Sequence, residues 1–353
     1  MSTTSTRTTF WHDVRAVEVE ALRRAFLLAA RGPLGGPNPQ VGAVLLDRDG
    51  RTIGEGWHDG AGTLHAEIVA VQAARAAGHD VRGATVVVTL EPCNHTGRTG
   101  PCAAALLAAG VGRLVYSVAD PNPVAAGGAE RLAGAGVEVV GGVLVEEGRE
   151  VLRLWLPSVT EGRPFVTLKM VVTLDGRVAA ADRTSRWISS EQSRRHSHDI
   201  RAQVDAIAVG TGTALTDDPT LTARDADGAL AAHQPTRVVV GLRDVPADAA
   251  LHGPGGPFVQ FRTHDPAQVL DALTTRGLRH LLVEGGPTLS AAFLRAHLVD
   301  EVHAYVAPVL LGAGPSAVGD LGIGTIADAL RLSVVRTVRL GPDLLVVATR
   351  SEN

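Results

Sequence analysis

With 353 residues and 45% hydrophobic content, the chain has apolar material for one large or two ordinary domains, and two separate cores are expected. A formal charge of −4 leaves no broad cationic field, so a long polyanion would need a local patch and nucleic acid is disfavoured as a partner. No apolar run approaches the roughly 20 residues that cross a bilayer, and the opening MSTTSTRTTFWHD lacks the pattern of a secretion signal, so a cytoplasmic protein without membrane contact is expected.

In chain order, VEVEALRRAFLLAARG has helical apolar spacing, QVGAVLLDRDGRTIGEGW reads as a hairpin through Asp49-Gly50, and TLHAEIVAVQAARAAG is helical again. GATVVVTLEPC is a buried strand running into a loop, followed by the helix CAAALLAAG, the strand VGRLVYSVAD, the short helix AAGGAERLAGAG and the strand VEVVGG. Such alternation predicts an α/β domain whose sheet is covered on both faces. LVEEGREVLRLWLPSVTEGRP predicts one bridging helix, and a boundary near Glu161-Gly162 divides the chain into domains 1–160 and 161–353.

The second half restarts with the strand FVTLKMVVTLDGRVA, then the helix SEQSRRHSHDIRAQV and the strands AIAVGTGTAL and TRVVVGL. The glycine-rich stretch from Val245 to Phe258 predicts a mobile segment. Helix PAQVLDALTTRG, strand RHLLVEGG, helix TLSAAFLRAH and the strands DEVHAYVAPVLLG and DLLVVATR complete a second α/β unit.

Both cysteines, Cys93 and Cys102, fall within EPCNHTGRTGPC. One disulfide is a possible reading, but a reducing compartment and a large core make it unnecessary, whereas a thiolate pair suits a metal. His65, at the start of a predicted helix, completes the three nitrogen and sulfur donors that zinc uses when one position stays open for water. At Cys102 the partial positive charge of the following helix is expected to favour the thiolate. Glu67, two positions after His65, is placed to carry protons from water to a ring nitrogen and then to a departing amine. H-x-E followed by P-C is the pattern of zinc deaminases, although here the cysteines are separated by eight residues instead of two. A closed structural zinc with His95 as fourth donor is the alternative, and it leaves Glu67 without a purpose. His58 and His95 otherwise read as loop residues without a role.

No G-x-G-x-x-G opens a helix after the first strand of the second half, so a dinucleotide there would bind in a way unlike the Rossmann fold. HLLVEGGPTLSAAFL has a strand, a glycine pair and a helix starting at Thr288 behind Pro287, which presents backbone N–H groups to an anion; a tight strand-to-helix turn is the alternative.

The H-A-E helix, the long N-H-x-G-R-T-x-P loop between cysteines and the upstream NPQVGAV resemble the bifunctional riboflavin-biosynthesis deaminase-reductase family, and the likeness runs from about Val17 to the C-terminus. The resemblance implies a cytidine-deaminase-like three-layer domain followed by a dihydrofolate-reductase-like domain. It implies Zn2+ on His65, Cys93 and Cys102, Glu67 as the catalytic group, and Asn38 on the substrate ring. For the second domain it implies NADPH, with Val171, Trp187, Thr213, Asp217, Gly286, Pro287, Thr288 and Leu289 on the cofactor. Ser185, Arg201, Leu221, Arg224 and Glu284 fall on the substrate side, and Lys169 and Asp175 match the LK…LDG pattern. Arg201 and Arg224 suit a ribose phosphate, because a guanidinium grips two oxygens at once. After QPTRVVVG the family's further cofactor residue has no counterpart that aligns, so the contact near the cofactor ribose is unassigned.

The implied substrate is a small phosphorylated diaminopyrimidinone, deaminated and then reduced from ribosyl to ribityl, and the implied assembly is a homodimer through the reductase half. A tRNA-editing deaminase shares the H-A-E and cysteine pattern but needs cationic surface. A deaminase fused to an inert dimerisation module would consume no NADPH.

Overall fold

The turn at Asp49-Gly50 closes a hairpin, with Gly50 at φ 83° and Asp47 Oδ1 accepting from the N–H groups of Asp49 and Arg51. The computed structural model describes residues 14–95 and 100–350. The opening segment 1–13 and positions 96–99 of the cysteine loop lie outside the described residues. The chain separates into two units, Met1–Gly162 and Arg163–Asn353.

The first unit runs α1 (Ala16–Ala29), β1 (Gly42–Leu46), β2 (Thr52–Trp57), α2 (Ala66–Ala76), β3 (Thr85–Leu90), α3 (Cys102–Ala109), β4 (Arg113–Val118), α4 (Gly128–Gly134), β5 (Glu138–Val140), α5 (Val145–Leu152) and α6 (Leu156–Thr160). Its sheet has the order β2-β1-β3-β4-β5, antiparallel from β2 to β3 and parallel from β3 to β5. Every residue of β1 and β3 is buried because both faces are covered. Leu22, Ala25 and Phe26 of α1 pack on Val44, Leu46 and Val87, while Ala70 of α2, Leu106 of α3 and Leu132 of α4 share the opposite core with Ala43, Leu45 and Val86. This is a three-layer arrangement.

The expected single helix over 144–164 is two helices, α5 and α6. Pro157 lies in the first turn of α6, a place it tolerates, whereas inside a continuous helix its ring would clash with the carbonyl of Arg153.

Gly56 sets how closely α2 approaches the sheet. A Cβ there would stand 2.4 Å from Ala66 O and 2.6 Å from Ala70 N, both rigid helix backbone. Gly56→Ala is therefore expected to push back the first turn of α2 and destabilise the first unit by about 1–3 kcal/mol, read as a lower urea midpoint. An unchanged midpoint would show that α2 has slack.

The second unit runs β6 (Phe165–Thr173), α7 (Glu191–Arg201), β7 (Ala206–Gly210), α8 (Thr211–Asp217), β8 (Thr236–Val240), β9 (Phe258–Phe261), α9 (Pro266–Thr275), β10 (His280–Val283), α10 (Pro287–Arg295), β11 (Glu301–Ala307), β12 (Leu332–Leu340) and β13 (Asp343–Arg350). The sheet order is β12-β13-β11-β6-β10-β7-β8-β9, with antiparallel pairing only at the β12-β13-β11 end. Val269 of α9 and Phe293 of α10 cover one face beside Leu168, Ala208 and Val283; Leu251 and Ile200 of α7 pack on the other with Ile207, Val239 and Leu282.

Three local expectations are corrected. The AIAVGTGTAL strand ends at Gly210, where an extended ψ of 159° starts α8 at Thr211. The strands β9 and β12 were not expected: FVQF has only four residues, and a bulge between Val334 and Arg336 breaks the alternation of β12. The stretch expected to be mobile is tied to the sheet, since the buried guanidinium of Arg237 donates to the carbonyls of Gly253 (3.0 Å) and Gly256 (2.6 Å).

Candidate active sites

In the first unit, the chain enters α2 through His65, whose backbone is extended (φ −72°, ψ 154°) and whose ring makes no cap to the helix. The ring turns instead to the sulfurs: Nδ1 lies 3.1 Å from Cys102 Sγ and 3.6 Å from Cys93 Sγ. Cys93 follows β3 and Cys102 opens α3, and the three donor atoms all lie within 4.8 Å of one another. Zinc bonds of about 2.3 Å to sulfur and about 2.0–2.1 Å to nitrogen, set at tetrahedral angles, need donors separated by about 3.5–3.8 Å, which the 3.6 Å pair meets and the 3.1 Å pair would reach by opening about half an ångström. The donor set fits zinc. Ala125 and Ile68 wall the sulfurs with apolar surface.

The helix start acts on the other sulfur than expected. The Cys102 backbone N–H points at Cys93 Sγ (3.4 Å), not at its own side chain. The Cys102 thiol, against the effect of burial and together with His65 and that N–H, holds Cys93 below the ordinary thiol value; the same bond and burial push Cys102 up.

Glu67 sits in the first turn of α2, 4% exposed, with His65 and both cysteines as its electrostatic neighbours. Burial pushes its carboxyl above the ordinary value and the His65 charge opposes that. Such a group exchanges protons nearer neutral pH than a free glutamate.

Asn38 reaches the site through a residue that the sequence left without a role. His58 is buried, its Nδ1 is 3.0 Å from Leu64 O, and its Nε2 is 2.8 Å from Asn38 Nδ2. A carbonyl only accepts, so Nδ1 carries the proton, Nε2 accepts, and Asn38 must donate its amide N–H while keeping Oδ1 for another partner. Burial lowers the His58 pKa, which keeps this neutral form. The His58 ring also meets the His65 ring edge-on at 5.3 Å. Nothing in the spacing of GWHDGAGTLH marks His58; only the fold closes that loop.

In the second unit, Val283 pairs with Leu168, so Glu284, just past β10, lies beside Lys169 of β6. Glu284 Oε2 accepts from Lys169 Nζ (3.0 Å) and Arg201 Nη2 (2.7 Å), while Oε1 accepts from Arg201 Nε (2.8 Å). Burial alone would raise the Glu284 pKa, but Arg201 and Lys169 outweigh it and hold the carboxylate ionised far into acid; burial lowers Lys169. Two cations around one anion leave a net positive, buried cluster at the carboxyl ends of parallel strands, where open α/β sheets bind ligands. Tyr305, whose ring lies 5.7 Å from Lys169 Nζ and whose hydroxyl is 2.8 Å from His196 Nδ1, backs this cluster and was not foreseen.

The expected cofactor residues gather in part. Gly286 caps α10 with no side-chain bond to the helix, Pro287 and Thr288 follow in the first turn, and a Cβ on Gly286 would stand 3.4 Å from Thr213 Oγ1. The cradle fits an anionic group held by backbone N–H donors. Leu289 and Leu221 have buried side chains in the core, so only their backbones can address a ligand; Leu221 has φ 51°. Val171 packs beside Tyr305 on β6. The contacts of the others are local: Ser185 O accepts from Ile188 N, Arg194 lies 4.5 Å over the exposed Trp187 ring, Arg224 donates to Gly228 O, and Asp217 is exposed at the end of α8. Asp175 serves the fold. Thr173 Oγ1 and the N–H groups of Leu311 and Gly312 bind its carboxylate and hold its pKa down at about 2.

Residues 16–118 match the cytidine and deoxycytidylate deaminase zinc-binding region, and residues 164–346 match the RibD C-terminal domain. Riboflavin biosynthesis protein RibD of Mycobacterium tuberculosis is 52% identical over 88% of this chain and 90% of its own, and the Escherichia coli protein of the same name is 38% identical over 92% and 96%. Among solved structures, a diaminohydroxyphosphoribosylaminopyrimidine deaminase/5-amino-6-(5-phosphoribosylamino)uracil reductase from Thermotoga maritima matches with TM-score 0.84 at 32% identity, covering 95% of this chain and 99% of that one. Acinetobacter baumannii RibD matches with TM-score 0.83 at 35% identity over the same shares. The first unit is thus cytidine-deaminase-like, and a dihydrofolate-reductase-like fold fits the second. The chain belongs to the RibD family of riboflavin biosynthesis enzymes, in which a zinc deaminase domain precedes an NADPH-dependent reductase domain.

Proposed function

We propose that the chain acts twice on one small phosphorylated pyrimidine, 2,5-diamino-6-ribosylamino-4(3H)-pyrimidinone 5′-phosphate: hydrolytic deamination at C2, then reduction of the ribosyl to the ribityl side chain. The observation that carries the first step is the convergence of His65, Cys93 and Cys102 beside the buried Glu67. Zinc, when held by three protein donors, supplies an acidified water at its open position. Glu67 would carry two protons in turn: one from the attacking water to the ring nitrogen next to C2, and then one from the hydroxyl that addition leaves on C2 to the amine, so that C2 becomes a carbonyl as the amine departs as ammonia. Asn38, oriented by His58, offers Oδ1 to the ring edge.

His58→Ala is expected to retain zinc and raise the deamination KM about tenfold, the worth of one misplaced hydrogen bond. An unchanged KM would leave Asn38 without need of His58.

In the reductase unit, NADPH supplies the hydride when bound. The start of α10 and Thr213 hold its phosphates, and the Lys169–Glu284–Arg201 cluster holds the substrate beside it. Arg224, which donates to Gly228 O and forms no ion pair among the described residues, suits the ribose phosphate.

Homodimerisation through this unit is supported by β12, an edge strand with Leu332 and Val334 exposed, beside the exposed Leu344 of β13. The negative net charge supports a partner list without nucleic acid, and no helix among the described residues is long and apolar enough to cross a membrane, in line with a cytoplasmic site of action.

The test is one preparation assayed for zinc, ammonia release and NADPH oxidation on the diaminopyrimidinone phosphate. The reading expects ammonia first and NADPH consumption only with the deaminated product. Ammonia without any NADPH consumption would reduce the second unit to a dimerisation module.

A further inference from the structure

Arg224, the cation that suits the ribose phosphate, stands on backbone outside the eight-stranded sheet. Leu221, Thr222 and Ala223 before it are buried, and Leu221 adopts a left-handed φ of 51°. Away from the ladder of the sheet, the polar groups of this backbone take side-chain partners. One end is tied to the Glu284 cluster. Thr222 O accepts from Arg201 Nη1 (3.2 Å) and lies 3.2 Å from His198 Nδ1, while Nε and Nη2 of the same arginine hold Glu284.

Gln234 ties the other end. Its Oε1 accepts from Ala223 N (3.0 Å), and its Nε2 donates to Ala223 O (2.8 Å) and Ala231 O (2.9 Å). The amide spends its oxygen and both N–H groups on main chain, as a neighbouring strand would, and no carboxylate or aliphatic side chain of that length can do the same. Ala223 and Ala231 flank the bridge between Arg224 and Leu230, so the amide joins both arms of a small hairpin, and Arg224 Nη1 donates to Gly228 O (2.7 Å) at its turn. Gln234 itself stands two residues before β8, whose Thr236 pairs with Ala206 of β7. The sheet therefore sets where the hairpin lies, and the hairpin sets where Arg224 stands relative to Arg201 and Glu284.

We propose that Gln234 is a positioning residue: by fixing the hairpin it holds Arg224 at the span between the reacting ribosyl carbon and the 5′-phosphate, and so secures the reductase unit's preference for a phosphorylated pyrimidine over the same molecule without phosphate. A guanidinium grips a phosphate monoester with full effect only when the backbone that carries it is in register with the rest of the ligand. The proposal rests on Arg224 as the phosphate contact.

The experiment is titration calorimetry on the full chain with the deaminated, reduced product, with and without its 5′-phosphate, for the unaltered protein, Gln234→Met, Arg224→Ala and the double variant. The readout is the affinity ratio between the two ligands, which a general loss of stability would leave alone. Gln234→Met is expected to lower that ratio about tenfold, the worth of one charge-assisted hydrogen bond put out of reach. Because Gln234 acts through Arg224, the double variant should lose no more than Arg224→Ala alone. Should Gln234→Met fail to fold, Gln234→Asn keeps an amide one methylene short of its partners, and a drop in the same ratio is expected. An unchanged ratio in the folded Gln234 variant, or losses that add in the double variant, overturns the assignment and leaves Arg224 as the phosphate contact. An Arg224→Ala protein that keeps the ratio overturns that contact and the role of Gln234 with it, while the two reactions stand.

Discussion

Glu67→Gln should keep one zinc per chain and lose ammonia release by about 10²–10⁴-fold, the usual share of a positioned acid-base group. Glutamine fills the same volume at the start of α2, where the side chain is 4% exposed, and leaves His65, Cys93 and Cys102 untouched. What it cannot do is accept a proton and hand it on. Because burial pushes the Glu67 carboxyl upward, the wild-type group is suited to both halves of the cycle, first as base and then as acid. Zinc content by atomic absorption and ammonia by a coupled assay separate the two effects. Full turnover with retained metal would remove Glu67 from the reaction.

The second large effect is expected at Glu284. Its carboxylate is shared by Lys169 and Arg201, and all three side chains are buried or nearly so. Glu284→Gln leaves two cations facing a neutral amide, and breaking a buried pair in this way costs about 3–5 kcal/mol. Arg201 cannot shed its proton, but Lys169 can, since burial already pushes it below the ordinary lysine value and Glu284 is the group that opposes the shift. In the variant the folded state therefore binds fewer protons than the unfolded chain below the unfolded lysine value of about 10.4, and stability rises with pH across that range. Urea unfolding of the variant at pH 6 and pH 9 should give the higher midpoint at pH 9. Equal midpoints, both like the wild type, would mean that water screens the cluster.

The metal site was legible because its chemistry is carried by residue type: two cysteines in the whole chain and one H-x-E leave few other assignments. The layered α/β pattern was legible for the same kind of reason, since VVVTL and HLLV read as strands buried on both faces. What the sequence hid was set by tertiary closure. His58 looks like any loop histidine until the chain folds it between Leu64 O and Asn38. Leu289 and Leu221, matched to ligand positions by motif, point their side chains into the core. Arg237 shows no sign in TRVVVG that it will tie down the glycines at 253–256. The thiol chemistry was read with the helix acting on Cys102, when the N–H of Cys102 reaches Cys93 instead.

The most direct measurement is zinc K-edge X-ray absorption on the purified protein. One metal per chain is expected, with two sulfurs at about 2.3 Å, one nitrogen at about 2.0 Å showing the scattering of a single imidazole, and one oxygen from outside the protein. Two imidazoles, a third sulfur, or no bound zinc with Cys93 and Cys102 joined to each other would contradict the account.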